Sequence, residues 1–463
     1  MCRSRNGYTL ASAGAAAIAC ALMLGVGAAR AQEARIENIT VTPRDAKTAT
    51  VKFDIAWDNS WRDKTNHDAT WVFFKVRAEG SANWQHVRLV ADKVLNPTGY
   101  GQAQGGTPLD FIVPDGDDGL TGMFVRREAE GKGPLAARGV TAVWDFTANK
   151  GITKDTKVSM QAFGIQMVYV AEGPFYLGSG GAELNGFYQY TDDSQHTQPY
   201  RVSSAGAIPT GRQNGRLWAR KGAQPADGGE VPASFPNGYA AFYCMKRHLT
   251  WDQYAGFLNT LSAAQAAARC PEQRQRIMRS GEPPNYTYSG ANGAARGVSW
   301  ADGAAFAAWA GLRPMTELEW EKAIRGPREP KPDEVGPSYW NIPFGDWFWV
   351  PLHDRDGERP VTVGNAEGRR FKGTHGRGTP ALPADWPQDD AVGAGIRSVG
   401  RTGASTRLSD RLYAAAVEPE RRPPFPPNNP WSTRGWNVYD SRVVVLHPLP
   451  WRGVRTAPSE VGP

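Results

Sequence analysis

The feature that most constrains the fold is a run of alternating apolar residues at positions 49–57. A period of two places the apolar side chains on one face of a β-strand. The alternating residues are Val51, Phe53, Ile55 and Trp57. Further strands are predicted at residues 70–76, 84–90, 140–146 and 157–163, with Gly, Asn and Asp residues between them. Short strands separated by turn residues, with no convincing helix, predict a β-sandwich over residues 32–164.

After Gly164 the pattern changes to helices that are marked by their N-terminal caps. Thr250 with Gln253, and Thr316 with Glu319, have the spacing of a capping box. A third helix is predicted to begin after Ser299, with Asp302 in its first turn. Beyond about residue 330 the chain is rich in Gly, Pro and Arg, which predicts long loops held together by aromatic side chains. The fold class expected for the whole chain is therefore α+β, with a second, irregular domain over residues 165–458.

The first 31 residues have the pattern of a secretory signal peptide. Arg3 and Arg5 form a basic start, residues 11–29 are small and apolar, and Ala-Arg-Ala at 29–31 fits a cleavage site. We therefore expect a signal peptide at residues 1–31 and export to the periplasm or the cell exterior. No transmembrane segment is expected to remain after its removal.

Net charge and cysteine content limit the classes of partner. The chain carries a formal charge of +7, and losing the three arginines of residues 1–31 leaves +4. This excess is too dilute for a nucleic-acid-binding surface, so no nucleic-acid partner is expected.

Of the four cysteines, only Cys244 and Cys270 lie beyond residues 1–31. They could form a disulfide or stay as thiols, and the sequence leaves both open.

Common catalytic motifs are missing from the sequence. It has no HExxH, no paired CxxC, no phosphate-binding loop ending in Lys-Ser/Thr and no Gly-x-Ser-x-Gly. The three acidic residues Glu317, Glu319 and Glu321 could be read as catalytic carboxylates. The capping reading is favoured, because Glu319 closes a capping box and acidic residues stabilise a helix N-terminus.

The helical region resembles a known family. Residues 297–306 read GVSWADGAAF and residues 309–323 read WAGLRPMTELEWEKA, which is similar to the central block of the formylglycine-generating enzyme (sulfatase-modifying factor) family. Weaker likenesses lie at its opening, at its first helix and at its end. These are MVYV at 167–170 with Gly178, residues 243–259, LSDR at 408–411 and GVR at 453–455. Together they cover about residues 165–458 in the family order.

The resemblance implies a fold and an activity. The fold would be that of a C-type lectin, an irregular α+β domain with many loops. Well-known members oxidise a substrate cysteine to formylglycine with oxygen and with copper held by two cysteines. The corresponding stretch here, residues 395–407, has no cysteine, and none follows Cys270. Because copper(I) requires soft ligands such as thiolates, we expect no catalysis of that kind.

The same region supplies the candidate binding residues. A ligand cleft is expected from the residues of the closing segments and from two tryptophans: Arg397, Ser405, Arg407, Asp410, Arg411, Trp347 and Trp349. Core packing is the competing reading for the tryptophans. No cofactor is predicted; structural calcium is left open, with Asn365 as the weak candidate ligand.

Two functions from different classes follow. The first is a non-catalytic binding or assembly module that takes an unknown protein or carbohydrate ligand at the envelope or outside the cell. The alternative is an oxidoreductase of the same superfamily with a rebuilt site, for which Arg397, Asp410 and Arg411 are candidates better suited to anion binding than to redox chemistry. Stoichiometric copper or iron in the purified protein would favour the second.

Overall fold

A computed structural model gives the fold of most of the N-terminal two thirds of the chain and of a short C-terminal segment. It is β-rich, with few helices. The described residues are 6–9, 34–90, 100–114, 120–178, 187–192, 198–219, 230–231, 233–247, 249–270, 277–281, 287–290, 295, 300–327, 329–330, 375–379 and 451–459.

The chain divides into two compact units, one formed mainly by residues up to Gln166 and one mainly by residues from Met167 onward. The first unit contains eleven described strands, the last of which continues past Gln166, and a short 3-10 helix at Phe146–Ala148. The strands are β1 (Asn6–Thr9), β2 (Arg35–Pro43), β3 (Thr48–Arg62), β4 (Asp68–Ala78), β5 (Gln85–His86), β6 (Arg88–Leu89), β7 (Gly101–Gly106), β8 (Leu109–Ile112), β9 (Met123–Arg127), β10 (Gly131–Asp145) and β11 (Lys157–Val170).

These strands form two sheets within the first unit. One has the order β2-β3-β10-β6, with β7 also paired to β10. The other has the order β11-β4-β9-β8, with β5 paired to β4 and β1 paired to β11. The long pair β3–β10 is antiparallel and places Val140 opposite Phe53 and Trp144 opposite Ala49.

A single hydrophobic core unites residues of both sheets. The alternation in β3 is confirmed, because Val51, Phe53, Ile55 and Trp57 are all at most 1 % exposed. The rings of Phe53 and Phe74 meet edge to face at 5.6 Å, an arrangement that aromatic pairs favour. The alternating pattern thus identifies the inward face of β3.

β11 differs from the sequence prediction. Residues 157–163 were expected to end one domain, with a new strand beginning near Met167, but Lys157–Val170 is one continuous strand. Gly164 was read as a break in the pattern. Instead, a Cβ at this position would lie 3.1 Å from Ile36 Cδ1 and 3.2 Å from Thr70 Cγ2. Glycine here permits close packing within the strand.

The second unit has shorter strands and holds most of the helical residues. Its strands are β12 (Phe175–Leu177), β13 (Phe187–Gln189), β14 (Tyr200–Val202), β15 (Ile208–Pro209), β16 (Leu217–Ala219), β17 (Glu230–Val231), β18 (Phe242–Met245), β19 (Ile277–Ser280), β20 (Thr287–Gly290), β21 (Arg313–Pro314) and β22 (Gly453–Thr456). The helices of the region are α1 (Trp251–Leu258), α2 (Ala263–Arg269), α3 (Trp300–Ala310) and α4 (Glu317–Arg325).

The predicted helix starts are confirmed at α1 and α4. Both capping boxes are formed, with Thr250 bonded to Gln253 and Thr316 bonded to Glu319. α3 also lies at its predicted place. α2 was not predicted from the sequence. Its only described buried residue is Ala266, and one small buried side chain leaves no apolar stripe to detect.

β18 is the centre of the sheet in the second unit. It pairs antiparallel with the last residues of β11 on one side and with β22 on the other, so that Cys244 lies opposite both Val168 and Val454. β22 in turn pairs with β21. Among the helices that the structure describes, none combines the length and the apolar character needed to span a membrane.

Candidate functional site

The structure describes a frame of strands and helices in the second unit, and the residues of the predicted cleft are not among the described residues. Arg397, Ser405, Arg407, Asp410, Arg411, Trp347, Trp349 and Asn365 all lie outside the described residues. The described parts of the same region are β18, β21, β22, α3 and α4. The contacts of the polar side chains on these elements show which of them stabilise the fold.

The centre of this frame is a buried ion pair between Arg313 of β21 and Glu319 of α4. Arg313 is 0 % exposed and Glu319 is 2 % exposed. Arg313 Nη1 donates to Glu319 Oε2 over 2.8 Å, and Nη2 donates to Oε1. Glu319 Oε2 also accepts from the backbone N–H of Thr316 over 2.9 Å, which completes the capping box. One carboxylate thus neutralises a buried guanidinium and caps a helix.

Glu321, a second acidic residue of α4, also has a structural role. Glu321 is 0 % exposed, and its Oε2 accepts from the backbone N–H of Gly178 over 3.2 Å. Gly178 has a φ of +80°, and a Cβ there would lie 1.8 Å from Phe187 O. The carboxylate of Glu321 therefore holds a backbone turn that only glycine can form.

Lys322 of α4 is a buried cation bonded to a loop. Its Nζ donates to Gly238 O over 2.7 Å and to Tyr239 O over 2.9 Å, and it lies 5.6 Å from the centre of the Phe175 ring. Burial lowers the pKa of Lys322 to about 7, against the opposing effects of Glu319 and Glu172. The contacts of Lys322 attach α4 to its surroundings.

The closing segment is also used for structure. Arg452 Nη1 donates to Met245 O over 2.7 Å and to Lys246 O over 3.1 Å, and Arg455 Nη1 donates to Gly311 O. Both arginines are at most 2 % exposed. Through these bonds they connect the closing segment to the backbone of neighbouring segments.

His375 lies close to the same cluster. Its burial, followed by the positive charges of Arg455 and Arg313, holds its pKa well below the usual value for histidine. The imidazole is therefore neutral at pH 7. No role for His375 was predicted, because a lone histidine in a Gly-rich segment carries no sequence signal that suggests one.

The two cysteines of this region are thiols on different elements. Cys244, in β18, is 0 % exposed; its thiol donates to Met245 O over 3.6 Å and lies 3.9 Å from Met315 Sδ. Cys270 follows α2 and is partly exposed. The structure has no disulfide between them. In the residues that it describes, no three His, Cys, Asp or Glu side chains form a group that could hold a metal ion.

The first unit contains buried polar clusters that the sequence analysis missed. Asp110 bonds Arg126 through two 2.8 Å contacts, and Arg126 Nη1 lies 3.3 Å from the ring nitrogens of His67. A second cluster contains Lys75 and His86, joined over 2.9 Å. The burial of Lys75 could have been predicted from the sequence, because the other residues of the strand at 70–76 are mostly apolar on both faces. A lysine in such a strand is buried whichever face it takes.

Comparison with known proteins gives one match. Residues 154–361 match the family model of the sulfatase-modifying factor enzyme 1-like domain. That range contains α1, α3, α4 and the central block described above, together with both cysteines. No curated protein and no solved structure shows a significant match to the chain.

Proposed function

This chain belongs, through residues 154–361, to the sulfatase-modifying factor family, and from that premise we propose that it is an exported, non-catalytic binding or assembly module. In this proposal an N-terminal β-sandwich carries a C-type lectin-like domain whose loops bind a protein or carbohydrate ligand. One observation supports it above the others, namely the placement of Cys244 in the core of the second unit.

Copper held by two cysteines is the cofactor that the family resemblance implies. The matched range offers only Cys244 and Cys270. Cys244 is 0 % exposed, its strand is paired on both sides, and its sulfur packs near Met315. A copper site that reacts with oxygen and a substrate thiol needs an accessible pair of thiolates. The residues present do not fit that group.

The motif residues of the central block support the same conclusion. Glu319 accepts from Arg313 and from the backbone N–H of Thr316, and Glu321 accepts from the backbone N–H of Gly178. Side chains that are used in this way maintain the scaffold. A domain that keeps the scaffold of an enzyme family without its thiolate pair is suited to binding.

The test is metal content together with oxygen consumption. The purified exported protein is incubated with one equivalent of copper(I), freed of loosely held metal and analysed for copper and iron. Oxygen uptake is then followed with a cysteine-containing peptide as substrate. We expect metal far below one equivalent and no peptide-dependent uptake.

The Cys244→Ser and Cys270→Ser variants are the matched controls, and both should behave as the parent does. One equivalent of copper or iron in the parent, together with uptake that either variant abolishes, would overturn the proposal and favour an oxidoreductase with a non-standard site. Thiol labelling adds an independent check, because Cys270 should react in the folded protein and Cys244 only after unfolding.

A further inference from the structure

The strand β11 has two hydrogen-bonding edges with different neighbours. Among the described strands, β4 lies along one edge, where the backbone N–H of Glu79 donates to Lys157 O over 2.8 Å. On the other edge, β18 pairs with Met167–Val170 and β1 pairs with Lys157–Met160. The N-terminal end of this second edge is therefore covered by β1.

β1 belongs to the segment that is expected to be removed on export. Its four residues pair antiparallel with β11, with Asn6 opposite Met160 and Thr9 opposite Lys157. All four lie within residues 1–31, which have the pattern of a signal peptide. The exported chain would lack β1, and the backbone groups of β11 that β1 pairs with would then face outward from the strand.

The edge that β1 leaves has the features of a site for strand addition. A row of unpaired backbone N–H and C=O groups is a template for another extended chain. Residues 157–160 contain no proline, and their register with β1 runs without a bulge, so two common ways of blocking an edge are missing from this stretch. Val158 and Met160 belong to the hydrophobic core of the first unit, which holds the edge in place.

Gln161, the next residue of β11, supplies an independent observation. It is 2 % exposed, and within the described residues neither its Oε1 nor its Nε2 has a hydrogen-bond partner. A buried amide in this state requires an explanation. A strand that continues the register of β1 by one residue beyond Asn6 would place that residue opposite Gln161, with Cβ atoms about 4.5–5.5 Å apart. A polar side chain at that position can bond the amide.

We propose that the edge of β11 at residues 157–161 is a docking site at which an extended segment of a partner protein adds as an antiparallel strand, with a polar residue opposite Gln161. In the full chain residues 6–9 fill this edge. A carbohydrate does not suit it, because strand addition requires backbone donors and acceptors in alternation. The site lies in the first unit and is separate from the binding loops of the proposed function, on which it rests only through the removal of residues 1–31.

Disulfide cross-linking that depends on register tests this site. The exported protein is prepared as two variants, Ser159→Cys and Lys157→Cys. Synthetic peptides with the sequence of residues 4–11 carry cysteine in place of Gly7 or of Thr9. They are added under mild oxidation at about 1 mM, the order of the effective concentration of a segment on a short flexible linker. In the register of β1, Gly7 is opposite Ser159 and Thr9 is opposite Lys157.

The two matched pairs should cross-link and the two exchanged pairs should not. Exchanged positions are diagonal neighbours about 7–8 Å apart. We expect at least about tenfold more product from each matched pair, because thiols whose Cα atoms are more than about 7 Å apart cannot be bridged without backbone movement. Cys270→Ser is included in every protein, because Cys270 is partly exposed and would react as well.

The role of Gln161 is tested with a peptide in which leucine replaces Arg5, the residue before Asn6. With Ser159→Cys this peptide should cross-link roughly fivefold more slowly, the effect of losing one hydrogen bond. The difference should vanish when Gln161→Leu is added to the protein. Gln161→Leu should fold, because it removes a buried amide and keeps the volume. Equal rates for the two peptides with Ser159→Cys would overturn the role of Gln161.

Three outcomes would overturn the docking site itself. The first is equal cross-linking of matched and exchanged pairs. The second is a disulfide-linked dimer of Ser159→Cys that forms without peptide, since the occupant would then be a second copy of the chain. The third is an exported protein whose mass shows that residues 6–9 remain, because its edge is already filled. The mass separates a failure of leader removal from a failure of docking, and none of these outcomes depends on the copper and oxygen test above.

Discussion

Replacing Glu319 by alanine should be among the most destabilising single changes in the second unit. Glu319 is 2 % exposed, and its carboxylate accepts hydrogen bonds from both terminal nitrogens of Arg313. It also accepts from the backbone N–H of Thr316, which completes the cap of α4. Its removal leaves a guanidinium that is 0 % exposed without its opposite charge. Removing one partner of a buried pair costs about 3–5 kcal/mol, and half of a capping box contributes about 1 kcal/mol. These effects overlap, so we expect a loss of about 4 kcal/mol.

The assay is equilibrium unfolding in guanidinium chloride, followed by tryptophan fluorescence and by circular dichroism. If the loss comes from the unpaired charge, the double variant Arg313→Met with Glu319→Leu should recover most of it, because apolar replacements of a buried pair are often neutral or stabilising. Glu79→Gln is the exposed control; its side chain lies 3.9 Å from Lys157, and it should change stability by less than about 0.5 kcal/mol. A loss below about 1 kcal/mol for Glu319→Ala, or a double variant as unstable as the single one, would refute the reasoning.

Three further predictions concern the second unit. Because burial lowers the pKa of Lys322 to about 7, well below the usual value of about 10.4 for lysine, the unfolded chain binds more protons between these values. Stability should therefore rise from pH 7 to pH 10 in urea titrations, and Lys322→Met should flatten this slope. Gly178→Ala should lower stability by more than about 2 kcal/mol in the same assay, because the φ is positive and the new Cβ would strike Phe187 O. Gly173→Ala, with a φ of +141° but nothing within 4 Å, should cost clearly less. Thr250→Ala should cost about 1 kcal/mol through loss of the α1 cap, whereas Thr250→Ser should restore most of it.

Local patterns predicted the elements whose signals lie within a few residues. The capping boxes at Thr250 and Thr316 were predicted because donor and acceptor are three residues apart. The inward face of β3 followed from its period of two. The continuity of β11 through Gly164 was not predicted. The side chains that pack closely against this glycine belong to Ile36 and Thr70, which are distant in the sequence.

The candidate site was less predictable for the same reason. Cys244 lies in β18, and its neighbour Met315 is 71 residues away in the sequence. Glu319 was read as a cap, and its second role with Arg313 was missed, since a sequence does not show which arginine is buried.

The described motif residues separate the scaffold of this family from its chemistry. Arg313 and Glu319 lie within the residues that match the family model, Arg455 lies in the C-terminal segment, and each is at most 2 % exposed and bonded to its neighbours. Such residues are required for the domain to fold, whatever the domain binds, because losing any of them leaves a buried charge or carbonyl without a partner. Their presence therefore carries no information on catalysis. The proposed loss of activity depends on thiols instead, and there Cys244 is already part of the core. In the proposed function, this chain keeps these scaffold contacts and uses its loops to bind a ligand.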